Sequence, residues 1–133
     1  MNTLTGEILK IEEKGSLTLV KAVANSIAIT AIVIDTPKSA GYLKVGNKVD
    51  VIFKETEVIV ATGAALKISL QNRFKGPVKS IDEGELLSKV IINSPAGDIT
   101  SIITTNAVKQ LELKPGKEVT ALVKTNEIML APQ

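Results

Sequence analysis

The segment LKVGNKVDVIFKETEVIVA, residues 43–61, decides the fold, because the chain contains a second version of it. That version is LKPGKEVTALVKTNEIMLA, residues 113–131, in which Leu, Lys, Gly, Val, Lys, Glu and Ala recur 70 positions further along. The same offset relates ITAIVI to ITSIIT and NTLTG to NRFKG. A fixed internal period indicates tandem structural units. We therefore predict two domains, residues 1–65 and residues 66–133.

Each copy predicts five short strands, because β-branched and aliphatic residues alternate between turn signals. The first strand ends in an acidic glycine turn, IEEKG at residues 11–15 or IDEG at residues 81–84. The second and third strands are separated by Asn25–Ser26 in the first copy and by SPAGD, residues 94–98, in the second. The fourth and fifth strands lie in the repeated segment, and we expect the fifth strand to close its own unit.

A short helical turn is predicted after the third strand of each copy, with Thr36 or Thr105 near its N-cap. Five short strands with one such turn are typical of a small barrel of the OB type. The predicted fold class is therefore all-β, with two tandem OB-like five-stranded barrels, each with a short helical turn. Because a unit of this size is only marginally stable alone, we expect the copies to pack together and the chain to form homo-oligomers.

The composition argues against several classes of function. The sequence contains no His and no Cys, so zinc sites, Cys nucleophiles and His general bases are not available, and we expect neither an enzyme nor a protein-bound metal. Aromatic residues make up 2% and the net charge is +2, which makes an OB domain for single-stranded nucleic acid a remote alternative. The chain lacks an apolar run of membrane-spanning length and a signal-peptide pattern, so we expect a cytoplasmic protein without a membrane partner.

Polar residues of the second copy supply hydrogen-bond donors at strand ends and in connections. Each of them alone is also compatible with a plain structural role. Together they offer hydroxyls, amides, backbone N–H groups and one ammonium, with no carboxylate among them in the sequence. Such a set suits a fully deprotonated tetrahedral oxyanion, since a phosphate that carries a proton would need an acceptor. The residues are Ser69, Gln71, Asn72, Thr104, Thr105, Lys124 and Thr125.

The second copy resembles the molbindin family, the Mop or TOBE-type molybdate-binding domains. The resemblance lies in ISLQNRFKGPVKSIDEG and in DITSIITTNAVKQLELKPGKEVTALVKTNEIMLA. Ser69, Asn72 and Gly76 match the family opening S-A-R-N-x-x-x-G, whereas Leu70 and Gln71 replace its Ala and Arg. With the weaker first copy, the resemblance covers nearly the whole chain as two units.

The resemblance implies that the ligand is molybdate or tungstate, bound without a cofactor at interfaces between units. Hydroxyl and backbone groups of Ser69, Thr104 and Thr125 would donate hydrogen bonds, and Lys124 would offset the charge of the dianion. Asn72 would either contact the anion or order the opening turn. The implied oxyanion-binding residues are Ser69, Gln71, Asn72, Thr104, Lys124 and Thr125. Gln71 cannot supply the charge of an arginine, and Arg73 is an alternative source of it.

The first copy departs from this pattern. Ile34 and Glu55 stand where the second copy has Thr104 and Thr125, and a carboxylate beside Lys54 would repel a dianion. We therefore predict that the first copy is mainly structural, or builds a different class of site. The expected function is storage or homeostasis of the oxyanion, and the alternative is the ligand-sensing portion of a regulator or transporter ATPase. A homotrimer would give six units in a closed assembly, and a dimer is the second choice.

Overall fold

The computed structural model describes residues 1–64 and 66–133 and is all-β, as the sequence predicts. The strands of the first copy are β1 (Asn2–Lys14), β2 (Leu17–Ala24), β3 (Ile27–Val33), β4 (Lys48–Phe53) and β5 (Ile59–Ala61). Those of the second are β6 (Asn72–Glu83), β7 (Leu87–Ser94), β8 (Gly97–Thr104), β9 (Glu118–Val123) and β10 (Met129–Pro132). The helical elements are α1 (Thr105–Gln110) and two 3₁₀ turns, Glu55–Glu57 and Thr125–Glu127.

The strands form two five-stranded sheets of the same topology, and each sheet takes its fifth strand from the other copy. The orders are β10–β4–β1–β2–β3 and β5–β9–β6–β7–β8. β5 pairs with β9 through Val60 and Ala121, and β10 pairs with β4 through Leu130 and Val51. The expectation that the fifth strand closes its own unit is therefore wrong. The two fifth strands have the same short apolar pattern, which specifies a strand but not its partner.

The long first strand of each copy bends at an equivalent bulge, between Ile8 and Lys10 in β1 and between Val78 and Ser80 in β6. A bulge bends a strand and increases its twist, and here it lets one strand pair with the second strand on one side and with the fourth on the other. Gly76 precedes the second bulge. A Cβ atom built there would lie 2.0 Å from the carbonyl oxygen of Asn93, so only glycine fits.

The two copies share one hydrophobic core, which is almost entirely aliphatic. Its centre contains the two phenylalanines, Phe53 from β4 and Phe74 from β6, with ring centroids 6.0 Å apart and rings inclined by 19°. Both rings are fully buried. A stacked aromatic pair that joins the two sheets is favourable beyond the area it buries. The chain is therefore one folded body rather than two barrels on a linker.

Two equivalent asparagines tie each copy to the third strand of the other. The amide of Asn72 donates to the carbonyl oxygen of Thr30 at 2.8 Å and accepts from the N–H of the same residue at 2.7 Å. Asn2 makes the same two bonds with the backbone of Thr100, both at 2.8 Å. Since β3 and β8 are edge strands, each amide satisfies backbone groups that the sheet leaves unpaired.

The helical turn predicted after the third strand forms in the second copy as α1. Its N-cap is Thr104, and the helix begins at Thr105. The Thr104 hydroxyl accepts from the N–H of Ala107 at 3.0 Å. In the first copy, the same connection forms turns, and the Thr36 N–H donates to the hydroxyl of Ser39 at 2.9 Å. The first connection carries Gly41, and its Ser39 hydroxyl donates to the carbonyl oxygen of Thr36, a local bond that competes with a helix, whereas α1 contains Ala107, Lys109 and Gln110, which favour one.

Candidate functional site

The opening segment of the second copy lies beside the end of β9. Asn72 pairs with Val123, so the preceding Gln71 comes next to Lys124. The side chains of Ser69, Gln71 and Lys124 are all exposed. Within the described part of the chain, the hydrogen bonds leave the Ser69 hydroxyl, the Gln71 amide and the Lys124 ammonium without a partner. Three exposed donors, one of them charged, therefore lie in the segment before β6 and at the adjoining end of β9.

Asn72 is placed differently from its neighbours. Its side chain is fully buried, and both ends of its amide are used by Thr30. One N–H of the amide is not used by Thr30, but full burial keeps it from a ligand at the surface. Of the two roles that the sequence left open for Asn72, its contacts favour ordering the chain next to Gln71 and Lys124.

The strand exchange divides the predicted residues between two places. The 3₁₀ turn that begins at Thr125 packs against β3 of the first copy. β8, which ends at Thr104, packs instead against the 3₁₀ turn Glu55–Glu57. The buried hydroxyl of Ser101 in β8 donates to the carbonyl oxygen of Val58 at 2.9 Å and fixes that arrangement. Within one chain, Thr104 therefore belongs to the surroundings of Glu55, and Lys124 and Thr125 belong to those of β3.

The two threonines at the end of the third strand of the second copy, Thr104 and Thr105, differ in exposure and in hydrogen bonding. Thr104 is exposed and uses only the lone pairs of its hydroxyl, so its proton remains available to an acceptor. Thr105 is buried, and its hydroxyl donates to the carbonyl oxygen of Gly84 at 2.7 Å. The Ser88 hydroxyl lies 2.8 Å from the hydroxyl oxygen of Thr105 and donates to it, because the Thr105 proton is already used by Gly84. Thr105 thus has its donors committed inside the fold.

The turn after the fourth strand is closed by carboxylates in the first copy. The Glu57 carboxylate accepts from the N–H of Lys54 at 3.0 Å, and Glu55 pairs with the amino group of Met1. The hydrogen bond from that ammonium lowers the pKa of the Glu55 carboxyl, so Glu55 stays charged. Nearby, Lys89 contributes a further, smaller lowering of this pKa. An anion that approached Lys54 would meet two carboxylates.

The equivalent turn of the second copy is open. Thr125 replaces Glu55, and the N–H of Lys124 has no side-chain cap of the kind that Glu57 provides. The two turns otherwise follow the same backbone path, since φ and ψ are −79° and 148° at Lys54 and −72° and 145° at Lys124. Since Glu127 occupies the place of Glu57, the two copies differ as anion sites in Thr125 for Glu55 and in the glutamate carboxylate, which caps the N–H of Lys54 but not that of Lys124.

A groove of about 380 Å³ beside the second-copy turn contains groups that the sequence did not indicate. Asp35 and Tyr42 of the first copy line it together with Asn126. The Tyr42 hydroxyl donates to the carbonyl oxygen of Leu130 at 3.1 Å, and burial, with a smaller effect of Asp35, raises the pKa of Tyr42. Only the exchange of the fifth strands brings these residues near Thr125, so no local sequence signal could have found them.

Two further observations concern the described residues 1–64 and 66–133. They contain no group of three or more His, Cys, Asp or Glu side chains arranged to hold a metal ion. None of their helices is long and apolar enough to cross a lipid bilayer.

Comparison with known proteins gives consistent results. Residues 1–60 and 68–130 each match the TOBE domain. MopB of Rhodobacter capsulatus, a molybdenum-pterin-binding protein, is 33% identical over 77% of this chain and 39% of its own length. Molybdenum-pterin-binding protein 2 of Clostridium pasteurianum is 36% identical over 49% of this chain and 97% of its own length. The chain thus spans about two fifths of the longer relative and about two lengths of the shorter one.

Among solved structures, the molybdate-bound crystal structure of the cytoplasmic molybdate-binding protein ModG superposes with a TM-score of 0.93. The match covers 99% of this chain and 96% of ModG at 26% identity. It therefore includes both copies and their exchanged strands, and it supports the tandem OB-like fold.

Proposed function

The chain belongs to the TOBE domain family, as a tandem pair of Mop-type units of the molbindin kind, and on that premise we propose that it binds molybdate or tungstate as the intact oxyanion. The ligand would be held by hydrogen bonds and by the charge of lysine, without a cofactor and without protein ligands to the metal. The likeness to ModG and to the molybdenum-pterin-binding proteins supports molybdate as the ligand class.

The observation that carries the proposal is the contrast between the two turns after the fourth strands. Lys124 and Thr125 present an uncapped N–H, a hydroxyl and an ammonium beside Ser69 and Gln71. The N–H of the equivalent Lys54 is capped by the Glu57 carboxylate, and Glu55 adds a second carboxylate to the same turn. A tetrahedral dianion is stabilised by charge-assisted hydrogen bonds and repelled by carboxylates, so the second copy carries the principal site.

We further propose that the complete site contains groups from more than one chain. Thr104 is separated from Lys124 by the strand exchange, so one oxyanion contacts both only when Thr104 comes from a neighbouring molecule. Asn72 acts by holding the chain, and Thr104 completes the donor set. A homotrimer brings six equivalent units into a closed assembly, with a dimer as the alternative. Sedimentation velocity with and without molybdate distinguishes the two.

The biological role that fits these features is storage or homeostasis of the oxyanion in the cytoplasm, without catalysis. Because the chain matches 39% of the length of MopB and 42% of that of ModE of Herbaspirillum seropedicae, a ligand-sensing portion of a larger protein is the alternative. Single-stranded nucleic acid is disfavoured as a ligand, because Phe53 and Phe74 are buried and cannot stack on bases. Filter binding of single-stranded DNA at low salt checks that exclusion.

The proposal is tested by isothermal titration with molybdate, tungstate, sulfate and phosphate on three proteins: wild type, Lys124→Ala and Lys54→Ala. We expect molybdate and tungstate to bind and Lys124→Ala to weaken them about tenfold to a hundredfold, as for loss of a charged hydrogen bond. Lys54→Ala is the matched control and should change the affinity less than about twofold. The absence of heat with either metal oxyanion at tens of micromolar contradicts the function. An unchanged affinity in Lys124→Ala contradicts the site.

A further inference from the structure

Arg73 folds back onto the segment that leads into β6. Its Nε donates to the carbonyl oxygen of Leu70 at 3.0 Å, and its two terminal nitrogens donate to Leu66 and Ile68, each at 2.9 Å. One guanidinium therefore holds three alternate carbonyl groups of a connection that has no regular secondary structure of its own. These three hydrogen bonds, called the Arg73 tie below, use three of the five N–H groups of the guanidinium.

Ser69 lies inside the tied segment. Its two neighbours, Ile68 and Leu70, are both bonded to Arg73, and Leu70 is also buried in the fold. The Ser69 side chain itself is exposed. The arginine thus fixes the backbone on either side of the serine while it leaves the serine hydroxyl free.

The charge of the guanidinium is not neutralised by an acid. The ion pairs between described residues join Met1 to Glu55, Lys10 to Glu12 and Lys79 to Asp98, and none of them includes Arg73. Successive side chains of a strand alternate between its faces, so Arg73 lies on the same face as Gln71, which carries no charge. A permanent positive charge consequently sits beneath the segment that carries the proposed donors.

We propose that Arg73 is the positioning residue of the oxyanion site. It acts through the backbone of residues 66–70 and does not contact the anion. Its tie arranges Ser69 before the ligand arrives, so that binding does not have to order a loose segment at that moment. The inference rests on the proposed function of the same site.

The planar fork of arginine is required for this role. A lysine at the same position keeps the positive charge, but its single ammonium is a point donor that cannot reach three separate carbonyl groups in one fixed geometry. Arg73→Lys therefore removes the positioning and retains the charge. Arg73→Gln removes both, and the comparison of the two variants separates the effects.

The test combines limited proteolysis of the ligand-free protein by subtilisin with titration of molybdate. For both Arg73→Lys and Arg73→Gln, we expect the rate of cleavage within 66–71 to rise about tenfold or more while β1–β4 stay intact. We expect molybdate to bind about tenfold more weakly or worse to both variants. Lys67→Gln is the matched control, because it removes an exposed cation from the same segment, and it should change both readouts less than about twofold.

A double-mutant cycle measures the coupling between Arg73 and Ser69 in molybdate binding, which a general loss of stability does not change. Ser69→Ala should weaken molybdate binding in the wild-type background and lose most of that effect beside Arg73→Lys, because the hydroxyl is then no longer held in place. Wild-type affinity in Arg73→Lys, or additive effects in the cycle, overturns the positioning role. An unchanged rate of cleavage within 66–71 overturns the tie itself. If wild type binds neither molybdate nor tungstate, the proposed function fails, and proteolysis still decides the tie independently.

Discussion

Replacement of Asn72 by alanine removes one of the two clamps between the copies. The lost interactions are the bonds of 2.7 and 2.8 Å to the backbone of Thr30, made by an amide that is fully buried. A hydrogen bond contributes about 1 kcal/mol net, and an unsatisfied buried backbone group costs about 1–3 kcal/mol. Partial access of water to the edge strand reduces the second contribution. We expect Asn72→Ala to lower the free energy of unfolding by about 2–4 kcal/mol.

The assay is urea denaturation followed by circular dichroism, in which the midpoint and slope give the free energy of unfolding. Asn2→Ala is the matched variant, since Asn2 makes the equivalent bonds with Thr100 at 2.8 Å and is 5% exposed. Its loss should agree with that of Asn72→Ala within about 1 kcal/mol. A loss below about 0.5 kcal/mol in Asn72→Ala would refute the reasoning, because the amide would then be dispensable.

Three further predictions concern single side chains. Gly76→Ala places a Cβ atom 2.0 Å from the carbonyl oxygen of Asn93 and should destabilise the protein by about 2 kcal/mol or more, whereas Gly6→Ala, whose nearest contact is 3.2 Å, should cost less than half of that in thermal denaturation. Thr18→Val should raise the free energy of unfolding by about 1 kcal/mol, because the buried Thr18 hydroxyl has no partner among the described residues; a loss in urea denaturation contradicts this. Burial raises the pKa of Tyr42 above its ordinary 10.0, so its contribution is complete below that pH and is lost as the pH rises through the folded value. Tyr42→Phe should therefore flatten the decline of stability above about pH 10, and an unchanged slope rules this out.

The sequence was sufficient to predict the strands, because the pattern that forms each strand lies within its own residues. The alternation of β1, with Leu4 and Ile8 buried and their neighbours exposed, is visible without a structure. The repeat of residues 43–61 correctly predicted a second set of the same elements. The sequence predicted a helical turn after the third strand of both copies. Among the described residues, an α-helix forms at that place in the second copy alone, at residues 105–110.

The strand exchange could not be predicted, because it is a choice between two equivalent partners. The edge of β4 accepts either β5 or β10 with the same apolar side chains, and only the path of the whole chain decides between them. The grouping of the site residues depends on that choice. Thr104 and Lys124 both belong to the second copy, but they face different elements of the first copy, the turn Glu55–Glu57 and β3. Arg73 shows the same limit, since its three bonds follow the path of the connection rather than any sequence signal.

The central claim, that the second copy carries the oxyanion site, is tested most directly by the anomalous scattering of tungsten in crystals grown with tungstate. We predict an anomalous peak about 3.5–4.5 Å from the donor atoms of Ser69 and Lys124, because the oxygens bonded to tungsten, rather than tungsten itself, accept hydrogen bonds of about 2.7–3.2 Å. We predict none beside Lys54 and Glu55, where carboxylates close the turn. A peak beside Lys54 and none beside Lys124 would contradict the account.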